Sequence, residues 1–201
     1  MRPSPTLTIA MSLGLVVALS TPGVGARVVA AEPRGPRVLL ETNPLAPVFR
    51  GASLGGRVIL AAAPRWSFGG GAYAFTLPGL FVDQLPGNAD EGWEVAIRPA
   101  AYLSVDRHLK TGGAGFGFGA SLVVARFAIG NAATDDTTAI TQLYLVPRVT
   151  YTWFAWRDLF VQPSLGVELH VRAGGDPMLA DRTFEPPTVQ PSPGVMVGYR
   201  F

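Results

Sequence analysis

The stretch PGVMVGYRF, residues 193–201, indicates the fold more directly than any other part of this sequence. Apolar side chains alternate there with Gly, Met and Arg up to a final aromatic residue, and the apolar set is Val195, Val197, Tyr199 and Phe201. An exposed strand with such a face invites edge pairing in a soluble protein. A membrane β-barrel instead closes its edges and turns apolar side chains toward lipid. The alternation therefore favours a membrane barrel.

The first 31 residues have the features of a secretory signal peptide. Arg2 provides an early positive charge, residues 7–19 form an apolar core with polar interruptions, and residues 29–31 are small and suit cleavage. The apolar run is shorter than the roughly 18 residues that a membrane helix needs. We predict a signal peptide at 1–31 and one mature domain at 32–201.

Composition excludes several classes of protein. The 201 residues carry a net charge of +2, and removal of Arg2 and Arg27 with the signal peptide leaves 14 basic against 14 acidic residues. No basic surface for nucleic acid is indicated. The absence of cysteine excludes disulfides and thiol chemistry. With two histidines in the whole sequence, a transition-metal site is not expected, and we predict no cofactor.

Period-two alternation predicts an all-β chain. It is clearest over residues 93–104, 142–153 and 159–171, each long enough for a tilted bilayer crossing of about 9 to 11 residues. Weaker strands are predicted at 37–43, 52–61, 66–77, 113–128 and 190–201. The total of eight matches the smallest common membrane barrel, an up-and-down antiparallel one.

Turn composition divides the connections into two sets. Short turns are predicted at 62–65, 106–112 and 154–157, on the periplasmic side, and longer outer loops at 44–51, 78–91, 129–138 and 172–189. Placing Trp153 opposite Arg157 brings Pro147 opposite Pro163. Because proline lacks the N–H that a ladder uses, we expect bulges near both of these prolines and near Pro99.

Aromatic residues predict where the barrel meets the inner edge of the membrane. Eight of them fall on outward positions near the periplasmic ends of four strands, as in an aromatic girdle. They are Trp66, Phe68, Phe116, Phe118, Tyr151, Trp153, Tyr199 and Phe201. Trp93 is the clearest candidate for an outer girdle.

With these features the sequence resembles the small outer-membrane β-barrels of Gram-negative bacteria, the group of the OmpA transmembrane domain and the OmpX and OmpW families. The final YRF is similar to the C-terminal signal read by the barrel-assembly machinery, with Val197, Tyr199 and Phe201 at its apolar positions, although Met196 stands where that signal usually has glycine. The segment ETNPLAP (41–47) is similar to the start of uncharacterised barrels in this group. The resemblance implies outer-membrane localisation after export, and lipids, lipopolysaccharide and the assembly machinery as partners.

Charged residues on inward positions predict a polar network in the lumen. Its members are Glu41, Arg57, Glu94, Arg98, Arg148, Glu168, His170 and Arg200. An eight-stranded barrel is about wide enough for side chains to fill. We therefore expect a paired, filled interior, with a narrow ion conduit as the alternative. His108 is predicted to be solvated in a turn.

Three further features leave alternatives open. Glu168 beside His170 could act as a general base in a lipid A hydrolase, but Ser164 lies on the wrong side for a nucleophile, and we predict no catalytic residues. Phe81, Val82 and Leu85, with the proline-rich segment 182–193, either contact lipopolysaccharide, a small hydrophobic ligand or a protein, or pack over the mouth. Arg126 is predicted to face lipid near the outer rim.

A soluble lipocalin-like binding barrel is the runner-up fold.

Overall fold

The computed structural model describes residues 35–85, 88–89, 91–171, 177–179 and 181–201. The predicted signal peptide and the domain boundary at residue 32 lie outside this range. Eight antiparallel strands form a closed barrel in the order β1-β10-β7-β6-β5-β4-β3-β2. The barrel strands are β1 (Arg37–Thr42), β2 (Ala52–Ile59), β3 (Trp66–Thr76), β4 (Trp93–His108), β5 (Gly115–Asn131), β6 (Thr134–Trp156), β7 (Leu159–Val171) and β10 (Val189–Arg200).

Small elements occupy the connections. A helical turn α1 (Gly79–Val82) follows β3, a 3-10 turn (Thr111–Gly113) follows β4, and the two-residue strands β8 (Met178–Leu179) and β9 (Arg182–Thr183) pair in the last outer loop. Among the described residues, no helix is both long and apolar enough to cross a bilayer. The predicted fold, an eight-stranded antiparallel barrel, is confirmed.

Closure of the barrel depends on the stretch with which the sequence analysis began. β10 pairs with β7 on one side and with β1 on the other, where Leu39 lies opposite Arg200 and Thr42 opposite Val197. Its outward positions carry the predicted apolar set, which ends with Tyr199 at 46% and Phe201 at 68% exposure. The final strand thus has no free edge in the barrel, as its apolar face requires.

A β-bulge in β4 makes one part of the predicted network wrong. The register shifts between Ile97 and Ala100, and Pro99 lies inside that shift. One extra residue reverses which face each side chain occupies. Trp93, with Val95 and Ile97, therefore points inward, whereas Glu94 and Arg98 lie exposed on the outer surface. Glu94 and Arg98 are not part of the lumen network, and Trp93 is not an outer girdle residue.

Strand β4 is also longer at its other end than the sequence indicated. It continues to His108, so the predicted turn at 106–112 is wrong at its start. Asp106 and His108 are buried inside the barrel, at 0% and 2% exposure. His108 is not solvated but contacts the Ser67 hydroxyl through Nε2 at 3.0 Å.

Two strand connections differ from prediction. The outer loop predicted at 129–138 is a continuation of β5 and β6 into a hairpin, with Asn131 paired to Thr134. The β6–β7 register places Tyr144 opposite His170, four residues from the predicted register. Pro147 and Pro163 are therefore not opposite each other. The described β6–β7 ladder shifts register between Phe154 and Trp156 rather than beside either proline.

Candidate functional site

The barrel interior is the candidate site, and apolar and aromatic side chains pack at its end nearest the β6–β7 turn. Leu39, Ile59 and Phe160 form a buried cluster against which Phe154 packs. The guanidinium carbon of Arg200 lies 4.1 Å from the centre of the Phe154 ring. Stacking of this kind holds a cation over an aromatic face, so Arg200 and the apolar cluster pack together at this end of the barrel.

Arg200 is held by Asp158, which the sequence analysis did not assign to the lumen network. Its Nε and Nη2 donate to Oδ1 of Asp158 at 2.9 and 2.8 Å. The turn between β6 and β7 is only Arg157 and Asp158, with Arg157 at φ 48°. This tight turn brings Asp158 beneath the last strand. The pair is the most exposed of the interior ion pairs, at 22% for the Arg200 side chain and 38% for that of Asp158.

A second ion pair joins β1 to β2 deeper in the barrel. Arg57 Nη2 donates to Oε2 of Glu41, and the two side chains are 2% and 4% exposed. The Tyr102 hydroxyl donates to Oε1 of the same carboxylate at 3.4 Å. Charge removed from water is costly unless it is paired, so the three groups stabilise one another.

A third pair joins β4 to β6 across β5. Arg148 holds Asp106 with two hydrogen bonds, Nε to Oδ1 at 3.1 Å and Nη2 to Oδ2 at 2.8 Å. Its remaining Nη1 donates to the Ser121 hydroxyl on the strand between them. This bidentate geometry is the strong form of an arginine–carboxylate contact. Arg148 was predicted inward, and its partner was missed because Asp106 was assigned to a turn.

A carboxylate-centred network lies nearer the outer end. Glu168 accepts hydrogen bonds from Gln190 at 2.5 Å and Ser192 at 2.9 Å, and it lies 3.3 Å from His170 Nε2. The other ring nitrogen of His170 is 2.9 Å from Oε1 of Gln142. Both ring nitrogens are therefore occupied by neighbours on the barrel wall.

Two tyrosines continue this network across the lumen. Tyr144 stacks on the His170 ring with centroids 4.7 Å apart, and its hydroxyl is 2.5 Å from that of Tyr73. A cavity of about 260 Å³ lies beside them, lined by Phe127, Arg148 and other aromatic, aliphatic and polar side chains. Aromatic walls with an Arg and a Glu make this space amphipathic.

Residues of the outer loops pack over the mouth. Val82 of α1 is fully buried, and Phe184 meets the inward Trp93 edge to face with centroids 5.6 Å apart. Asn88 joins the two loops, since its side-chain amide donates to the carbonyl of Glu185 and accepts from its N–H. Of the apolar loop residues predicted to contact a partner or to cover the mouth, Val82 covers the mouth and Phe81 stays half exposed at 48%.

The outer wall carries exposed aromatic side chains, whereas the interior carries ion pairs. All eight residues of the predicted aromatic girdle are exposed on the outer wall, from 40% for Trp66 to 68% for Phe201. Arg107 lies over Trp66, with its guanidinium carbon 6.0 Å from the ring centre. In the part of the chain that the structure describes, no group of three or more His, Asp or Glu side chains is placed to hold a metal ion.

Comparison with known proteins identifies no family for this chain. No protein-family model matches the sequence, and no curated protein matches it significantly. Among solved structures, the chain is similar to the crystal structure of the N-terminal β-barrel domain of Pseudomonas aeruginosa OprF. The TM-score is 0.43 and the sequence identity 14%, over 84% of this chain and 98% of that one.

Proposed function

We propose that this protein is an integral outer-membrane β-barrel with a filled interior. Its role is anchoring and envelope interaction rather than catalysis or the free diffusion of solutes. The observation that supports the location is the polarity of the two faces. Ion pairs such as Glu41–Arg57 lie inside, while large apolar side chains such as Leu54 and Leu103 are 69% and 70% exposed outside. A soluble lipocalin-like barrel would have the reverse arrangement.

The dimensions of the apolar wall agree with a bilayer. On the outer face of β5, Phe116 and Arg126 are ten residues apart, with Phe118, Ala120, Leu122 and Val124 between them. At about 3.3 Å per residue and a strand tilt of about 40°, that separation is about 25 Å along the barrel axis. Outer-membrane barrels have an apolar band of about 25 Å.

The interior supports a closed barrel over an open pore. The Glu41–Arg57 and Asp106–Arg148 ion pairs lie in the interior, and the apolar cluster of Leu39, Ile59 and Phe160 packs at the end nearest the β6–β7 turn. Both nitrogens of His170 are taken up by Gln142 and Glu168, which leaves neither to activate a hydroxyl. This arrangement supports a structural role for the predicted polar residues. We expect negligible steady current in planar bilayers.

One substitution pair distinguishes the membrane barrel from a soluble one. L103R places a charge midway between Arg98 and Arg107 on the outer wall, and L80R places the same charge on α1 at nearly equal exposure, 68%. In lipid vesicles, L103R should destabilise the fold by about 2–4 kcal/mol. L80R should stay within about 0.5 kcal/mol. Equal small effects would contradict the membrane location.

Cell fractionation tests the compartment independently. We expect the protein in the outer-membrane fraction, resistant to extraction by carbonate or urea, and with heat-modifiable migration in a detergent gel. Recovery from the soluble periplasm would refute the proposal and favour the lipocalin-like alternative.

A second candidate function rests on the amphipathic cavity. Its volume of about 260 Å³ is just below the roughly 300–1,000 Å³ typical of ligand pockets, so only a small molecule would fit. Tyr73, Phe127 and Tyr144 would contact an apolar ring, and Arg148 a polar substituent. Titration with a fluorescent naphthylamine probe tests this: saturable binding that F127A weakens and F118A leaves unchanged would support it.

A further inference from the structure

The bulge that turns Glu94 and Arg98 outward also brings two arginines together on the outer wall. The β4–β5 register passes from Ile97 opposite Phe127 to Ala100 opposite Ala125, so Arg98 and Pro99 both lie opposite Arg126. Arg98 and Arg126 are both exposed on that face. Side chains directly opposite each other have Cβ atoms about 4.5–5.5 Å apart. The two arginine side chains thus start from neighbouring positions on the same face.

Neither of these arginines has a partner among the described residues. The ion pairs and hydrogen bonds of the described chain include neither side chain, whereas the inward Arg57, Arg148 and Arg200 each pair with a carboxylate. On the same face of β4, Glu94 is four residues away, about 13 Å along the strand. Like charges placed directly opposite each other in a sheet are destabilising. An anion bound between them would remove that cost.

The neighbouring side chains set the position of the pair relative to lipid. In the same row across the wall, β3 contributes Ala74 and β6 contributes Thr141, so the described neighbours of the two arginines in this row include no carboxylate. One row further toward the periplasmic end, all the outward side chains are apolar. They are Leu54, Ala72, Ala101, Val124 and Leu143. The two arginines therefore lie at the boundary of the apolar band, where acyl chains end and head groups begin.

We propose that Arg98 and Arg126 form a binding site for a phosphate group of lipopolysaccharide in the outer leaflet. The proposal rests on the membrane location proposed above. Guanidinium groups bind phosphate oxygens through paired, charge-assisted hydrogen bonds. The apolar row beneath them lies against the acyl chains of the same lipid. One lipid molecule therefore contacts the arginines through its phosphate and the apolar row through its acyl chains.

The test compares phosphorylated and dephosphorylated lipid A in zwitterionic detergent micelles. Thermal unfolding of the folded barrel is followed as bisphosphorylated lipid A is titrated, and a ligand that binds the folded state raises the unfolding temperature. We expect the R98Q/R126Q variant to lose about tenfold or more in apparent affinity. R107Q is the matched control, since Arg107 is exposed on the same strand at the opposite boundary.

A second signature separates ligand binding from a stability defect. Without lipid A, R98Q/R126Q should unfold at the same temperature as the parent protein or higher, because the repulsion between the two arginines is gone. With lipid A, the order should reverse. Unfolding of the variant at a lower temperature under both conditions would assign a structural role to the arginines and overturn the proposal.

Other occupants give different results. Equal stabilisation by dephosphorylated lipid A would mean that the wall binds acyl chains alone, and stabilisation by inorganic phosphate to the same extent would mean that the site takes free phosphate. A doubled particle mass that R98Q/R126Q abolishes would assign the surface to a second copy of the chain. Each of these outcomes overturns the lipid-phosphate site. Failure of the membrane location itself would instead appear as equal effects of L103R and L80R.

Discussion

Replacing Glu41 with Gln tests whether the lumen is a packed, dry interior. The substitution keeps the shape of the side chain and removes its charge. Arg57, at 2% side-chain exposure, then keeps a positive charge without a carboxylate partner. The Tyr102 hydroxyl also loses a charged acceptor, since it donates to Glu41 Oε1. The effect on stability therefore depends directly on how much water reaches this pair.

The expected magnitude follows from burial. Removing one partner of a buried ion pair costs about 3–5 kcal/mol, because the remaining charge has left water without compensation. In a hydrated pore, water would screen that charge and the cost would fall to about 1 kcal/mol or less. The two interpretations of the lumen thus differ by several-fold in one measurable quantity, the free energy of unfolding.

The assay is urea unfolding from lipid vesicles, with the folded fraction read from heat-modifiable gel migration. D158N is the matched control, because the Asp158–Arg200 pair has 38% and 22% exposed side chains at the barrel end. We expect D158N to cost about 1 kcal/mol or less. The double variant E41L/R57M should recover most of the loss, since apolar replacement of a buried pair is often close to neutral.

Two results would refute this reasoning. If E41Q and D158N lower stability equally and slightly, water reaches the pair and the lumen is open. If E41L/R57M is no more stable than E41Q, the loss comes from altered packing rather than from an unpaired charge. In the first case, altered ion selectivity of E41Q in planar bilayers would support the conduit alternative.

Two further substitutions, G198A with its control G194A and F184A, probe the ends of the barrel. A methyl group at Gly198 would clash with the backbone carbonyl oxygen of Leu40 and lie 2.6 Å from Cζ of Phe160, so G198A should destabilise the fold by about 1–3 kcal/mol in the same unfolding assay. The control G194A meets only the Ser164 hydroxyl and should stay within about 1 kcal/mol. F184A removes the aromatic contact with Trp93 at the mouth; faster tryptic cleavage of the outer loop is expected with the barrel strands still protected, and an unchanged cleavage rate would contradict the packed mouth.

The number of strands and most of their faces could be predicted from the sequence, because alternation is a local property. In β7, for example, Leu159 to Val171 alternate without interruption, and the structure exposes Leu165, Val167 and Leu169 as expected. The same holds for the aromatic residues of the outer wall. Each strand carries this information on its own, so no partner strand needed to be known.

Register and ion pairs could not be predicted, since they depend on where turns begin. The β6–β7 turn is the two residues Arg157 and Asp158, and a shift of its position changes every pairing in the hairpin. Asp106 was missed for the same reason, because its strand extends two residues beyond it. A pairing such as Asp106 with Arg148 also crosses an intervening strand, which no local pattern reveals.

The bulge in β4 shows how packing decides between two patterns that look equivalent in sequence. In WEVAIRPAAYLS, residues 93–104, side chains alternate between the two faces of the strand along its whole length. Only Pro99 indicates a break in this alternation, because proline has no N–H to donate to the ladder. After the break, the polar side chains Ser104 and Asp106 point inward, as does the half-buried Tyr102. Proline in a strand was therefore the available signal, and it identifies the position of the bulge but not the faces on either side.

The free energies of burial explain which side chains of β4 face the lumen before the bulge. Turned inward, the apolar Val95 and Ile97 each gain about 1.5–3 kcal/mol from burial, and Trp93 closes the mouth against the outer loops. An unbroken strand would instead bury Glu94 and Arg98, at a desolvation cost of several kcal/mol per charge. The interior carboxylates of Glu41, Asp106 and Glu168 already have donors, so a buried Arg98 would compete for them. One extra residue avoids that cost, covers the lumen, and leaves Arg98 beside Arg126 on the outer wall. The closed mouth and the proposed phosphate site thus share a single structural cause.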